Sequence, residues 1–331
     1  MAPIHYHYNK FPPAQLEWKP LIPLIGPANA AIARFDALLS TIPNADILLS
    51  PLTTQEAVLS SRIEGTQATM GEVLEFEAEG SKKISEEKRN DIQEVLNYRK
   101  AIRHACNRLK TLPLSQRVIL ETHAVLMDSV RGYGKSPGAY RRIPNWIGPH
   151  GCTIEQAKFV PISADKLPSG MSNLEKYIHT DNVDDKLIHI ALLHAEFEAL
   201  HPFLDGNGRL GRMLVTLFLW QLGVIKQPVF YMSAFFEIHR EEYYERLLAV
   251  SSAGAWSEWC VFFLRALSEQ AQLNEQKVSS IIQLYNSQKT VITEITHSQY
   301  SIRALDWIFK RPTFNSSDFV KSSGIPAPTA R

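Results

Sequence analysis

The strongest constraint on this chain is an abrupt glycine-rich, polar break between two apolar runs, His201-Pro-Phe-Leu-Asp205-Gly-Asn207-Gly-Arg209-Leu-Gly-Arg212. The residues before it, Asp185 to Leu200, are rich in Leu, Ile and Ala and read as a helix. Those after it, through about Leu222, read as another, with Met213, Leu214, Leu217 and Phe218 on its apolar side. Gly206 and Gly208 let backbone amides approach a bulky anion, and the second helix begins with its N-terminus aimed at that anion. Arg209 and Arg212 fall on neighbouring positions of one face. Asp205 offers a hard oxygen ligand suited to a magnesium ion carried in with phosphates. His201 can move a proton near neutral pH without a shifted pKa. These are the parts of a site that uses a polyphosphate.

The segment resembles the signature of the Fic family, His-x-Phe-x-(Asp/Glu)-Gly-Asn-Gly-Arg-x-x-Arg, with every position filled. Its fixed positions would coincide by accident at roughly one start site in 10^10 under average composition. The resemblance implies a mainly α fold, a helical bundle with a short β-hairpin flap, and transfer of AMP from ATP to a Tyr, Thr or Ser hydroxyl of a target protein. It implies these roles: His201 as base, Asp205 for Mg2+, and Gly206, Asn207, Gly208, Arg209 and Arg212 for the ATP phosphates. Family habit also implies self-assembly and self-modification.

A second stretch precedes the first: Thr53-Thr-Gln-Glu56-Ala-Val-Leu-Ser60-Ser61-Arg-Ile-Glu64-Gly65-Thr66. Thr53 with Glu56 reads as a capping box and Gly65 as a C-terminal stop, giving a helix over about 53–65. So short a helix must dock on something to be stable. Glu64 sits in its last turn, where the helix dipole disfavours a carboxylate, so a cationic partner is to be sought. Ser60, Glu64 and Gly65 match the inhibitory motif (Ser/Thr)-x-x-x-Glu-(Gly/Asn) found ahead of the core in many Fic proteins. The resemblance implies that Glu64 pairs with Arg212 and takes or neutralises the γ-phosphate position, leaving ATP misaligned.

Elsewhere the pattern is helical. Residues 1–26 read as an irregular Pro-rich arm, Pro27 as the start of a helix that ends near Pro43-Asn44, and Thr69 with Glu72 as a cap. Glu79 to Asn90 reads as a solvated turn, followed by helices over Asp91–Leu109 and Ser115–Val130. His104 and His123, on these, read as packed or surface side chains. Glycines and prolines over 131–163 exclude helix, and Trp146-Ile147 with Phe159-Val160 read as the strands of a hairpin over about 145–161. By resemblance this is the flap, which pairs with an extended piece of the target by strand addition. Arg141 and Arg142 read equally as phosphate or surface residues. Residues 1–112 are expected to form an N-terminal helical region, 113–268 the catalytic core, and 269–331 a connector with a helix-turn-helix-like segment resembling an incomplete winged helix.

Composition sets the exclusions. A net charge of +1 leaves no basic footprint for nucleic acid, which argues against a DNA-binding regulator with a vestigial site. Cys106, Cys152 and Cys260 are odd in number and not at metal spacing, which makes a disulfide framework unexpected. No apolar run is expected to span a membrane, Met1–Lys10 does not read as a signal sequence, and a cytoplasmic location follows. His189, His194 and His201, with Glu196 and Glu198, lack the His-Glu-x-x-His spacing of a zinc protease. Within the resemblance, a γ-phosphate-transferring Fic kinase is disfavoured by Gly208, whereas removal of AMP assisted by Glu64 is chemically reasonable.

Overall fold

A computed structural model describes residues 2–42, 48–79, 84–128, 133–149, 151–181 and 183–330. The chain folds mainly into helices: α1 (Ile22–Ser40), α2 (Ser50–Ile63), α3 (Met70–Glu79), α4 (Glu86–Leu109), α5 (Gln116–Leu126), α6 (Leu167–Ile178), α7 (Lys186–Leu200), α8 (Asn207–Gln221), α9 (Ser233–Ile238), α10 (Arg240–Ala253) and α11 (Trp256–Thr296). Three shorter helices follow: α12 (Ser301–Lys310), α13 (Ser316–Ser322) and α14 (Ala327–Ala330). Two strands, β1 (Ile4–His5) and β2 (Phe159–Val160), pair in parallel.

At the centre lies α7, buried on nearly every face from Leu187 to Leu200, which is why its sequence is apolar without a clear stripe. Asp185 starts it by accepting from the amides of Leu187 and Ile188. Beside it pack α8 and the first half of α11, and the Trp259 indole donates to Ala191 O at 2.7 Å. Apolar burial along α11 stops at Val278; its second half extends outward and contacts α12.

Several local expectations are corrected. Pro27 does not open α1: the helix starts at Ile22, Pro23 occupies the first turn, and Pro27 is accommodated inside. By length and composition α1 could cross a bilayer, contrary to the sequence reading; here Ala28, Ala31, Ile32, Phe35 and Leu39 are buried and the helix packs on α11. The helix end expected at Pro43-Asn44 lies outside the described residues, as do Val130 and Gly132. The charged stretch before Asn90 is the first turn of α4, because the Ser85 hydroxyl accepts from Lys88 N–H and caps it. The Thr69–Glu72 capping box is present. The three cysteines are free.

Candidate functional site

The loop between α7 and α8 is clamped from several directions. His201 takes a left-handed conformation (φ 45°, ψ 62°), which costs a non-glycine residue roughly 1–2 kcal/mol. Arg141, buried and far from a surface residue, holds it. Its Nε donates to His201 O at 2.9 Å, its Nη2 to Leu200 O at 3.3 Å and to Ile162 O, and its own N–H to Pro202 O at 2.9 Å. Two of these carbonyls, Leu200 and His201, are ones the C-terminus of α7 leaves without intrahelical partners. His123 stacks on Phe203 with ring centroids 3.7 Å apart. The Gly138 amide donates to its Nδ1, so the proton sits on Nε2, which donates to Asp205 O at 3.0 Å. Burial pushes His123 down to about 4, so this neutral tautomer persists at neutral pH.

Asn207, expected to hold phosphate through its side chain, instead closes the loop. Phe203 N–H donates to its Oδ1 at 2.8 Å, and its Nδ2 donates back to Phe203 O at 2.9 Å. Gly206 sits at φ 81° and its amide is taken by Asp205 Oδ1. What remains for an anion is the first turn of α8, whose leading amides lack intrahelical acceptors.

A carboxylate already occupies that end of the helix. A Cβ at Gly208 would run into Glu64 Oε1 and lie 3.0 Å from Arg212 Nη1, so the carboxylate rests against bare backbone. Glu64 Oε1 accepts from Arg212 Nη2 at 2.7 Å, while Ser60 receives the same guanidinium through Oγ (2.9 Å) and its carbonyl (2.8 Å). The dipole of α2 opposes Glu64, which caps its C-terminus; Arg212 and the N-terminus of α8 supply the compensating charge. Arg212 is only 1% exposed, yet its pKa rises: burial works against the charge, and the Glu64 carboxylate is the leading contribution that opposes it. Arg209 pairs with Asp205 at 3.1 Å and Glu94 at 3.5 Å.

Thr53 and Glu56 do not cap α2, which begins at Ser50. They lie inside it and anchor it: Thr53 shares a hydrogen bond with Tyr231, and Glu56 accepts from Ser233 N–H, Ser233 Oγ and Tyr98 Oη. Gly65 follows with φ 100°.

Two titratable groups complete the site. His201 is not the unshifted imidazole expected from sequence: burial pushes it down to about 4 against the opposing pull of Glu64, leaving a ring that is neutral at pH 7 and a weaker base than a free imidazole. Glu198, which the sequence raised only within the rejected zinc-protease set, directs Oε1 at the bare backbone of Gly211, buried and without a hydrogen-bond partner. Burial raises it to about 8, with Arg212 opposing and Glu64 assisting, so it is protonated at neutral pH.

The expected hairpin is reduced to an antiparallel bridge, Ile147 to Phe159, because β2 turns its other edge to β1. Trp146 and Ile147 are exposed, but Phe159 is part of the core. Val160, beside it, is half-buried. Among the described residues no group of three or more His, Cys, Asp and Glu gathers to hold a metal. Asp205 alone suits an ion that arrives on phosphates, since Mg2+ commonly takes one or two carboxylates and keeps phosphate and water ligands.

Comparison with known proteins gives the lineage. Residues 22–107 match the Fic/DOC family N-terminal domain and residues 113–219 the Fic/DOC family domain, together more than half of the chain. The chain is 22% identical over 160 residues to a probable protein adenylyltransferase of Aquifex aeolicus, covering 47% of this chain and 46% of that one. It is 26% identical over 120 residues to a protein adenylyltransferase Fic of Drosophila erecta, covering 35% and 21% respectively. The matched stretches thus span less than half the length of these relatives. A Fic family protein from Desulfovibrio desulfuricans superposes with a TM-score of 0.65 at 21% identity over 91% of this chain and 89% of that one. Fic-1 from C. elegans does so with 0.60 at 16%, over 80% and 74%. Both likenesses are of fold.

Proposed function

We propose that this chain, which belongs to the Fic/DOC family, transfers AMP from ATP to a hydroxyl of a protein target and is held inactive by Glu64. The observation that carries the reading is the Glu64 carboxylate, seated on the N-terminus of α8 and paired with a buried arginine, where a phosphate would otherwise bind. Support for the activity comes from the adenylyltransferases that the chain resembles.

ATP would lay its phosphates over the first turn of α8, held by backbone amides, Arg209 and, once Glu64 has left, Arg212. Asp205 would hold a magnesium ion, which supplies charge neutralisation to the phosphates. Neutral His201 takes the proton of a Tyr, Thr or Ser hydroxyl as that oxygen attacks the α-phosphorus; the bond to the bridging oxygen breaks and pyrophosphate leaves. Phosphoryl-type transfer demands mainly positioning and charge neutralisation, and an arginine contributes roughly 10³-fold or more, so withholding Arg212 is an adequate switch. The target would add a strand beside Trp146 and Ile147. With a net charge of +1, we assign α12–α14 to protein rather than DNA contact.

The test is label transfer from α-labelled Mg-ATP by the Glu64→Gly protein, in a lysate of the source cells, with His201→Ala in the same background as blank. Label on a protein band that vanishes in the blank is expected. Transfer of γ-label alone would replace the reading with a kinase, and a Glu64→Gly protein no faster than its parent would remove the inhibitory role.

A further inference from the structure

As expected, the N-terminal residues wrap over the body as a largely irregular arm up to α1; β1 is its one regular piece, and it is tied on two sides. On one side lies the flap strand: Ile4 N–H donates to Lys158 O at 3.2 Å, Tyr6 N–H to Val160 O at 2.9 Å, and Ser163 N–H to Tyr8 Oη at 2.9 Å. On the other lies α7, the helix that ends at His201. Tyr6 Oη donates to Glu196 Oε1 at 2.6 Å and His7 Nε2 to Glu196 Oε2 at 2.8 Å, so the arm engages both carboxylate oxygens. His7 Nδ1 bonds Ser251 Oγ of α10 at 2.8 Å, and its ring meets Trp256 edge-on at 5.0 Å. Tyr6, His7 and Glu196 are all buried.

A two-residue strand bridged once to Ile147 has no independent stability in water. Its register must come from what lies against its inner edge, which is β1. A buried carboxylate whose partners were removed would be strongly destabilised, so Glu196 holds β1 in place as firmly as β1 holds β2. We propose that Tyr6 and His7 are positioning residues, locking the flap to the catalytic helix through Glu196 and fixing the outer edge at Trp146-Ile147 on which a target strand would pair. The consequence for catalysis rests on the AMP-transfer reading; the lock itself does not.

Backbone amide exchange on the full chain tests it at the N–H groups of Lys158 and Phe159, which donate to Ile147 O at 2.8 and 3.1 Å and not to the arm. His7→Ala should speed exchange at these two amides about tenfold, the loss of roughly one hydrogen bond's worth of protection, while Mg-ATP affinity stays within about twofold. His7→Gln, which retains a donor for Glu196 and a polar group for Ser251, should restore the parent rate. In the Glu64→Gly background, His7→Ala should reduce α-label transfer to lysate proteins about tenfold with KM for ATP unchanged. Should His7→Ala fail to fold, Tyr6→Phe removes a single hydroxyl and reads the same two amides. Parent-rate exchange at Lys158 and Phe159 in a folded variant would overturn the lock, as would acceleration spread evenly over α7 and α10. If no variant transfers label but these amides still respond, the activity assignment fails and the lock stands.

Discussion

Adding one methyl group at Gly208 probes the seat of Glu64 without touching either charged partner. Gly208 is the second residue of α8 and its φ lies outside the left-handed region, so alanine suits the backbone and would by itself stabilise by about 0.4–1 kcal/mol. The new Cβ, however, would overlap Glu64 Oε1 and lie 3.0 Å from both Glu64 Cδ and Arg212 Nη1. Glu64 is 35% exposed and can swing into solvent; Arg212 is 1% exposed and cannot. Breaking a fully buried pair costs about 3–5 kcal/mol; with one partner in reach of water and Ser60 still bonded, roughly 1–3 kcal/mol is expected. Gly208→Ala should therefore destabilise the parent by about 1–2 kcal/mol but be nearly neutral in the Glu64→Gly protein, where the tight approach to Arg212 Nη1 offsets the gain in helix propensity. Urea denaturation of the four proteins gives the coupling, expected to be about 1–2 kcal/mol. Equal effects of Gly208→Ala in both backgrounds would refute the placement of Glu64.

Three further outcomes follow from the site. Arg141→Ala should destabilise by about 3 kcal/mol in urea denaturation, since it strips donors from Leu200, His201 and Ile162 carbonyls; Arg141→Lys should recover little, because one ammonium cannot span all of them. On the acid side, His123 and His201 titrate at about 4 and His194 at about 3, against about 6.5 when unfolded. The unfolded chain then binds more protons below pH 6.5, so stability should fall as pH drops from 6.5 to 4, measured by urea midpoints. Glu198 acts in the opposite sense. Folded, it keeps its proton to about pH 8 while the unfolded chain loses it near 4.5, so its contribution becomes unfavourable as pH rises from 4.5 to 8. Glu198→Gln should flatten that slope and gain roughly 1–3 kcal/mol at pH 8; an unchanged slope would show that the carboxyl is ionised.

The core of the site was legible because its constraints are local. Gly206 must adopt positive φ, Gly208 must be bare, and the apolar runs on either side must be helices; all three are written in one continuous stretch of sequence. Long-range partners left no such mark. Thr53 and Glu56 have the spacing of a capping box, but their bonds go to Tyr231 and Ser233, far away in the chain, and a buried acceptor overrode the local pattern. Nothing beside Arg141 identifies the helix end it serves. The β1 strand did leave a signal: Ile4, Tyr6 and Tyr8 alternate with histidines in a stretch of strand-favouring residues. Two prolines close behind it masked that alternation. Glu198 could have been found by its place, three residues before His201 at the end of a helix that buries nearly every side chain, where a carboxyl is costly.

Arg212, rather than His201, is the economical place for a switch in this architecture. A neutral histidine in a rigid loop offers little to hold, whereas a desolvated guanidinium requires an anion at all times. Glu64 meets that requirement in the resting chain and a phosphate would meet it in the proposed working one, so exchanging them never leaves the cation bare. Ser60 keeps two of the guanidinium's bonds through the exchange, because α2 is pinned by Thr53 and Glu56 well upstream. Only the last turn needs to change, and there Glu64 is already outside helical geometry (φ −87°, ψ 1°) and followed by Gly65 at positive φ. On the proposed reading, release would be a side-chain rotation at the helix end rather than the departure of a helix. On that account substitutions at Thr53 or Glu56 should lower stability, while activation on the proposed reading should follow from Glu64 alone.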